Sequence, residues 1–137
     1  MQKTLVLLKP DCVKRKLAWK VISRFEEKWF DILGLKIFNM SDELVTEHYS
    51  HLADKPFFPN IKNFMTSGPI IAIALYWENA VESVRNLTWA TNPLQAAPWS
   101  IRGDFALSVD ANIIHASDSI ENAEIEIKRF FKETELI

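Results

Sequence analysis

The sequence predicts an α/β (α+β) fold of the ferredoxin-like, split-βαβ kind, with a four-stranded antiparallel sheet covered by helices. Three observations carry this expectation. Four short apolar, β-compatible runs alternate with segments whose apolar residues recur at helical spacing. The order that results, β-α-β-α-α-β-α-β-α, requires a sheet covered on at least one face. The 137 residues, 48% of them hydrophobic, suit one domain over 1–137 with a core able to fold alone. A small doubly wound sheet is the competing arrangement.

Thr4 to Leu8 is a short apolar run stopped by Pro10 and reads as a buried strand. From Leu17 to Lys28, the residues Leu17, Val21, Ile22 and Phe25 make one apolar helical face. Ile32 to Met40 alternates loosely and reads as a second strand. Ser41 or Asp42 can cap the next helix, which carries Leu44, Val45, His48 and Leu52 on one side. Pro56 and Pro59 punctuate a loop around Phe57-Phe58, and Ile61 to Met65 reads as a short helix. Gly68-Pro69 opens a strongly apolar strand, Ile70 to Tyr76. Glu78 to Leu87 reads as a helix with Val81, Val84 and Leu87 inward. Thr91 to Gly103 is a long loop, and loops of that length are often functional. Phe105 to Val109 reads as the last strand. Ser119 can cap a final helix on which Ile120, Ala123, Ile127 and Phe130 recur.

The net charge of −2 exerts no general pull toward nucleic acid or anionic membrane. A single cysteine, Cys12, excludes an internal disulfide and fits a reducing, cytoplasmic location. The apolar run at Leu5-Val6-Leu7-Leu8 is too short for a membrane span or signal peptide. The only glycines are Gly34, Gly68 and Gly103, so no glycine-rich phosphate loop is present.

The chemistry therefore rests on dispersed side chains. His115 follows Ile113-Ile114 and precedes Ser117, Asp118 and Ser119. A histidine held beside an anchored helix can act as a nucleophile if its other nitrogen is oriented by a hydrogen bond. Alone, it is more simply a structural or solvated loop residue. Lys9 ends an apolar strand before Pro10-Asp11, so its ammonium emerges at a sheet end. Glu126 is either a surface partner of Lys128 or Arg129 or a carboxylate that orients His115. Tyr49 offers a hydroxyl or a half-buried ring. Phe57 and Phe58 are core residues, unless the flanking prolines hold one ring outward to stack on a base.

Six motifs then come in order: Leu8-Lys9-Pro10-Asp11, Asp54-Lys55-Pro56-Phe57-Phe58, Ser67-Gly68-Pro69, Ala90-Thr91-Asn92-Pro93, Ile101-Arg102-Gly103-Asp104-Phe105, and Asn112-Ile113-Ile114-His115-Ala116-Ser117-Asp118-Ser119. Over essentially its whole length the chain resembles nucleoside diphosphate kinases. The resemblance implies Mg²⁺-dependent, ping-pong transfer of a γ-phosphate from a nucleoside triphosphate such as ATP to a diphosphate such as GDP. His115 matches the histidine that becomes phosphorylated, Glu126 the carboxylate that positions it, and Ser117 a neighbour. Lys9 and Tyr49 match groups near the transferring phosphoryl and the sugar hydroxyl. Thr91, Arg85 and Arg102 match phosphate contacts, and Lys55 replaces an arginine, which removes a bidentate fork. Asn112 matches a ribose contact; Phe57, Val109 and nearby Ile61 match apolar jaws around the base. No protein ligand to the metal is implied, because phosphates hold Mg²⁺. The family assembles as hexamers or as tetramers of dimers. A catalytically weak nucleotide-binding relative is the alternative reading.

The departures from the family pattern are systematic. All five tryptophans, Trp19, Trp29, Trp77, Trp89 and Trp99, stand where the pattern has glycine, as do Cys12, Lys16 and Ala116. Tryptophan is a poor substitute wherever φ is positive. A gene that reads UGA as glycine accounts for the set; UGG at all five codons refutes it. The competing reading is genuine tryptophans at the surface or at subunit contacts.

Overall fold

The computed structural model describes residues 1–137. Its strands are β1 (Gln2–Leu8), β2 (Asp31–Phe38), β3 (Ile70–Trp77) and β4 (Ile114–Ala116). They form one sheet in the order β2-β3-β1-β4, with every pairing antiparallel. The helices are α1 (Pro10–Lys14), α2 (Ala18–Glu27), α3 (Asp42–His48), α4 (Phe58–Met65), α5 (Ala80–Thr88), α6 (Ile101–Phe105) and α7 (Ile120–Phe130). This is the split-βαβ arrangement expected from the sequence.

Both faces of the sheet are covered, which explains the unbroken apolar runs in β1 and β3. Val6, Leu8, Ile71, Ile73 and Leu75 pack with Val21, Ile22 and Phe25 of α2 and Val84 of α5. Leu5, Leu7, Ala72 and Ala74 pack on the opposite face with Val45 of α3, Met65 of α4, and Ile127 and Phe130 of α7. Alternation along β1 thus feeds two cores.

One expected strand is corrected. Phe105 to Val109 is not a strand: Phe105 ends α6, and the chain then runs irregularly to β4. Phe105, Leu107 and Val109 alternate, but Ser100 caps a helix here by accepting the Gly103 N–H at 3.1 Å. Gly103 is required, because a Cβ there would lie 1.8 Å from the Ala97 carbonyl oxygen. The fourth strand is instead the three residues that include His115, so the histidine sits on a strand and not in a loop.

Several side chains occupy left-handed backbone. Trp29 has φ 67° and Lys16 has φ 59°. Trp89 has φ 64° with ψ −155°, a combination essentially confined to glycine. Trp29 follows α2, donating to the Glu26 carbonyl while Phe30 donates to that of Phe25, where a helix usually ends on glycine. Trp19, Trp29, Trp89 and Trp99 are exposed. No helix is long and apolar enough to cross a membrane.

Candidate active site

His115 opposes Leu7 in the β1–β4 ladder, so it projects from the sheet face that α3 and α7 cover. β4 is an edge strand, and the imidazole keeps 24% of its surface open. Its Nε2 lies 2.5 Å from Oε2 of Glu126, a buried carboxylate on α7. With Nε2 donating to that oxygen, Nδ1 is left as the nitrogen bearing a free lone pair. The surface ion-pair reading of Glu126 is therefore overturned.

The chain enters β4 through an unusual turn. Ile113 has φ 75°, a rare value for a β-branched residue. Two bonds hold it: its N–H donates to Asp11 Oδ2 at 3.1 Å, and its carbonyl accepts the Lys9 N–H at 2.9 Å. This brings Asn112 beside Lys9, whose Nζ donates to Asn112 Oδ1 at 2.7 Å. Asn112 Nδ2 donates to the Thr91 carbonyl at 3.2 Å, tying in the loop after α5. Burial lowers the Lys9 pKa to about 8, helped by the cation of Arg102 and opposed by Asp11 and Asp110.

Arg102 on α6 is buried behind the histidine. It donates from Nη2 to the Ile114 carbonyl at 2.7 Å and from Nη1 to the Trp89 carbonyl at 2.9 Å. Burial, then Arg85, brings its pKa down to about 10.

Two cavities meet here. A polar cleft of about 520 Å³ holds His115, Lys9, Arg85, Thr91, Arg102 and Asn112. A more apolar slot of about 640 Å³ is lined by Tyr49, Phe57, Ile61, Phe64 and Val109. Lys9, Thr91 and Asn112 border both. Phe58 is buried, whereas its neighbour Phe57 is 48% exposed and faces the slot, so the two phenylalanines divide between core and cavity. The Tyr49 hydroxyl is pushed well above the usual phenol range by burial, then by Glu126, and so stays protonated as a donor.

Two expected residues lie elsewhere. Ser117 is fully buried; its hydroxyl accepts the Leu5 N–H and donates to the Leu5 carbonyl, both at 3.3 Å, and it lines neither cavity. It secures β4 against β1. Lys55 is exposed and also lines neither cavity. Sequence reasoning missed His48 and Arg129, which border the cleft. Arg129 lies three residues after Glu126 on the same helix face, which was the available signal.

The family model described as "Nucleoside diphosphate kinase" matches residues 2–136. The nucleoside diphosphate kinase of Acetivibrio thermocellus is 52% identical over 133 residues, covering 97% of this chain and 98% of the relative. That of Methanocaldococcus jannaschii is 50% identical over 135 residues, covering 98% and 96%. Among solved structures, the Aquifex aeolicus nucleoside diphosphate kinase superposes with a TM-score of 0.96 at 37% identity, covering 99% of each chain. A halophilic nucleoside diphosphate kinase from Halobacterium salinarum in complex with CDP has a TM-score of 0.96 at 39% identity, covering 99% of this chain and 91% of the other.

Proposed function

The chain belongs to the nucleoside diphosphate kinase family, and from that premise we propose how its residues move a γ-phosphate from a nucleoside triphosphate to a nucleoside diphosphate. His115 Nδ1 attacks the γ-phosphorus. The bond to the β,γ-bridging oxygen breaks, and the first diphosphate leaves with that electron pair. A second diphosphate then enters, its terminal oxygen attacks the same phosphorus, and the P–N bond returns its electrons to Nδ1. Nε2–H stays on Glu126 throughout, so the carboxylate balances the positive charge that develops on the phosphorylated ring.

Positioning and charge complementarity supply most of the catalysis in such a transfer. Lys9, Arg85, Arg102 and Thr91 hold the phosphates. Asn112 and Lys9 bind the ribose hydroxyls, with the Tyr49 hydroxyl donating toward the transferring group. Phe57, Ile61 and Val109 clasp the base by its faces, so base identity matters little. Lys55 contributes a distant charge, and Ser117 acts through the strand that carries His115.

A nucleotide kinase generally needs a divalent cation. The carboxylates that border the cleft are Asp118 and Glu126, and Glu126 is engaged by His115. This donor set suits Mg²⁺ carried by the phosphates themselves, where the ion neutralises charge on the leaving group. We further propose a cytoplasmic homo-oligomer, a hexamer or a tetramer of dimers. Exposed Leu35 and Ile37 on the edge strand β2 support self-association.

The observation that carries this reading is the Nε2–Glu126 contact, which leaves Nδ1 as the free nitrogen above a basic cleft. The test is incubation with γ-labelled ATP and Mg²⁺, followed by a GDP chase. Acid-labile, alkali-stable label on the protein that moves to GDP, and is absent in His115→Ala, supports it. A folded wild-type chain that binds ATP but takes no label sinks it and favours the non-catalytic relative.

A further inference from the structure

His48, Arg129 and Glu126 form a cluster behind the nucleophile that the proposed route does not use. His48 ends α3, with only 2% of its side chain exposed. Its ring stands nearly perpendicular to that of His115, at 83°, with centroids 4.6 Å apart. Arg129 Nη1 lies 3.0 Å from His48 Nδ1. A guanidinium can only donate, so His48 Nδ1 must accept, and the proton of the neutral ring resides on Nε2. Nε2 has no hydrogen-bond partner and lies 3.7 Å from Glu126 Oε2, the oxygen that His115 also meets. That separation is too long for a hydrogen bond but short for a dipole facing a carboxylate.

The ring is held neutral. Burial, then His115, Arg129, His51 and Lys9, depresses the His48 pKa to about 2. The largely exposed Glu47 carboxylate lies 3.5 Å from Arg129 Nε.

We propose that Arg129 and His48 act as positioning residues: Arg129 locks the His48 tautomer so that its Nε2–H dipole faces Glu126 Oε2, and this fixes the carboxylate so that it holds the His115 proton on Nε2 and leaves Nδ1 to react. The same lock bars a metal from this cluster. His48, His115 and Glu126 offer ligand atoms within 4.8 Å of one another, but a metal on His48 Nε2 would have to displace that proton beside a cation. This inference rests on His115 as the nucleophile.

The test compares His48→Leu, which removes both ring nitrogens, with His48→Gln, whose amide can accept from Arg129 and donate toward Glu126. Phosphorylation of His115 is followed at saturating ATP, and the His115 tautomer is read by ¹⁵N NMR. In the wild type, His115 shows a protonated Nε2 and takes label. His48→Leu is expected to slow phosphorylation about tenfold, leave the nucleotide KM within threefold, and mix the His115 tautomers. His48→Gln is expected to recover most of the rate and the single tautomer. Arg129→Met, at a more accessible position, is expected to slow the step severalfold and free the His48 ring to exchange tautomers; it is the decisive variant if His48→Leu does not fold. An unchanged His115 tautomer in Arg129→Met or His48→Leu, whatever the rate, overturns the proposal. Wild-type protein without label would instead overturn the nucleophile assignment on which it rests.

Discussion

The Asp11 carboxylate accepts the Ile113 N–H at 3.1 Å, joining segments 102 residues apart that both border the phosphate cleft. The bond holds a β-branched residue in left-handed backbone, a conformation that costs about 1–3 kcal/mol and persists only when its surroundings fix it. Asp11→Ala removes the acceptor. It is expected to destabilise the fold by about 1–3 kcal/mol, measured by urea denaturation, and to lower kcat by misplacing Asn112 and His115.

Glu126→Gln keeps the size of the side chain but removes its charge. The amide oxygen can still accept from His115 Nε2, so the tautomer survives while the phosphorylated ring loses its counter-charge. A fall in kcat of about 10- to 100-fold, with little change in nucleotide KM, is expected from loss of a charge-assisted bond. Single-turnover phosphorylation measures it.

Lys9 gives the clearest pH dependence. Its folded pKa of about 8 means that the free enzyme loses this cation as pH rises through 8. kcat/KM should therefore fall on the alkaline side of that value, while kcat falls less, because bound phosphate restores the proton. Lys9→Met is expected to give a kcat/KM about tenfold lower or more and to lack this limb. The stability sign is the reverse. Between about 8 and the unfolded value of 10.5, the unfolded chain binds more protons, so the Lys9 contribution to stability rises with pH.

Phe57→Ala removes the exposed ring of the base slot. Stacking on one aromatic is worth about 1–3 kcal/mol. KM is expected to rise roughly tenfold for ATP, GTP and CTP alike, with kcat little affected. A loss confined to one base would contradict a clasp that acts only on base faces.

Trp29→Gly tests the left-handed turn after α2. Relief of about 1–2 kcal/mol of backbone strain outweighs the added freedom of the unfolded chain. A rise of a few degrees in Tm is expected by calorimetry. The codons at the five tryptophan positions are the complementary measurement: UGG throughout refutes the glycine decoding, and with UGA throughout the mass of the protein from its own organism tells glycine from tryptophan.

Much of this was legible in the sequence, because period and punctuation coincide. The β1 and β3 runs, the α2 and α7 faces, and the Ser41 and Ser119 caps all lie where local pattern and tertiary burial agree. The last strand was not legible. A three-residue edge strand is too short to show a period, and the alternation at Phe105, Leu107 and Val109 imitated one. Within the site, motif residues such as Lys9, Asn112 and His115 were recognisable. The role of His48 was not, since a histidine on an apolar helix face reads as core until Arg129 is seen to meet it. Lys16, Trp29 and Trp89 stand at family glycine positions, and their positive φ angles show why the pattern has glycine there.

Trp89 and Trp99 stand edge to face, 5.2 Å apart at 67°. Trp89 shares its carbonyl with Arg102, and Trp99 shares its own with Arg24. Two indoles at that separation and angle couple as excitons, so the chain carries a built-in chromophore pair one bond removed from the phosphate cleft. The split circular-dichroism band of such a pair depends on the angle between its members. Any change in that angle when nucleotide binds would be read directly, with no label attached.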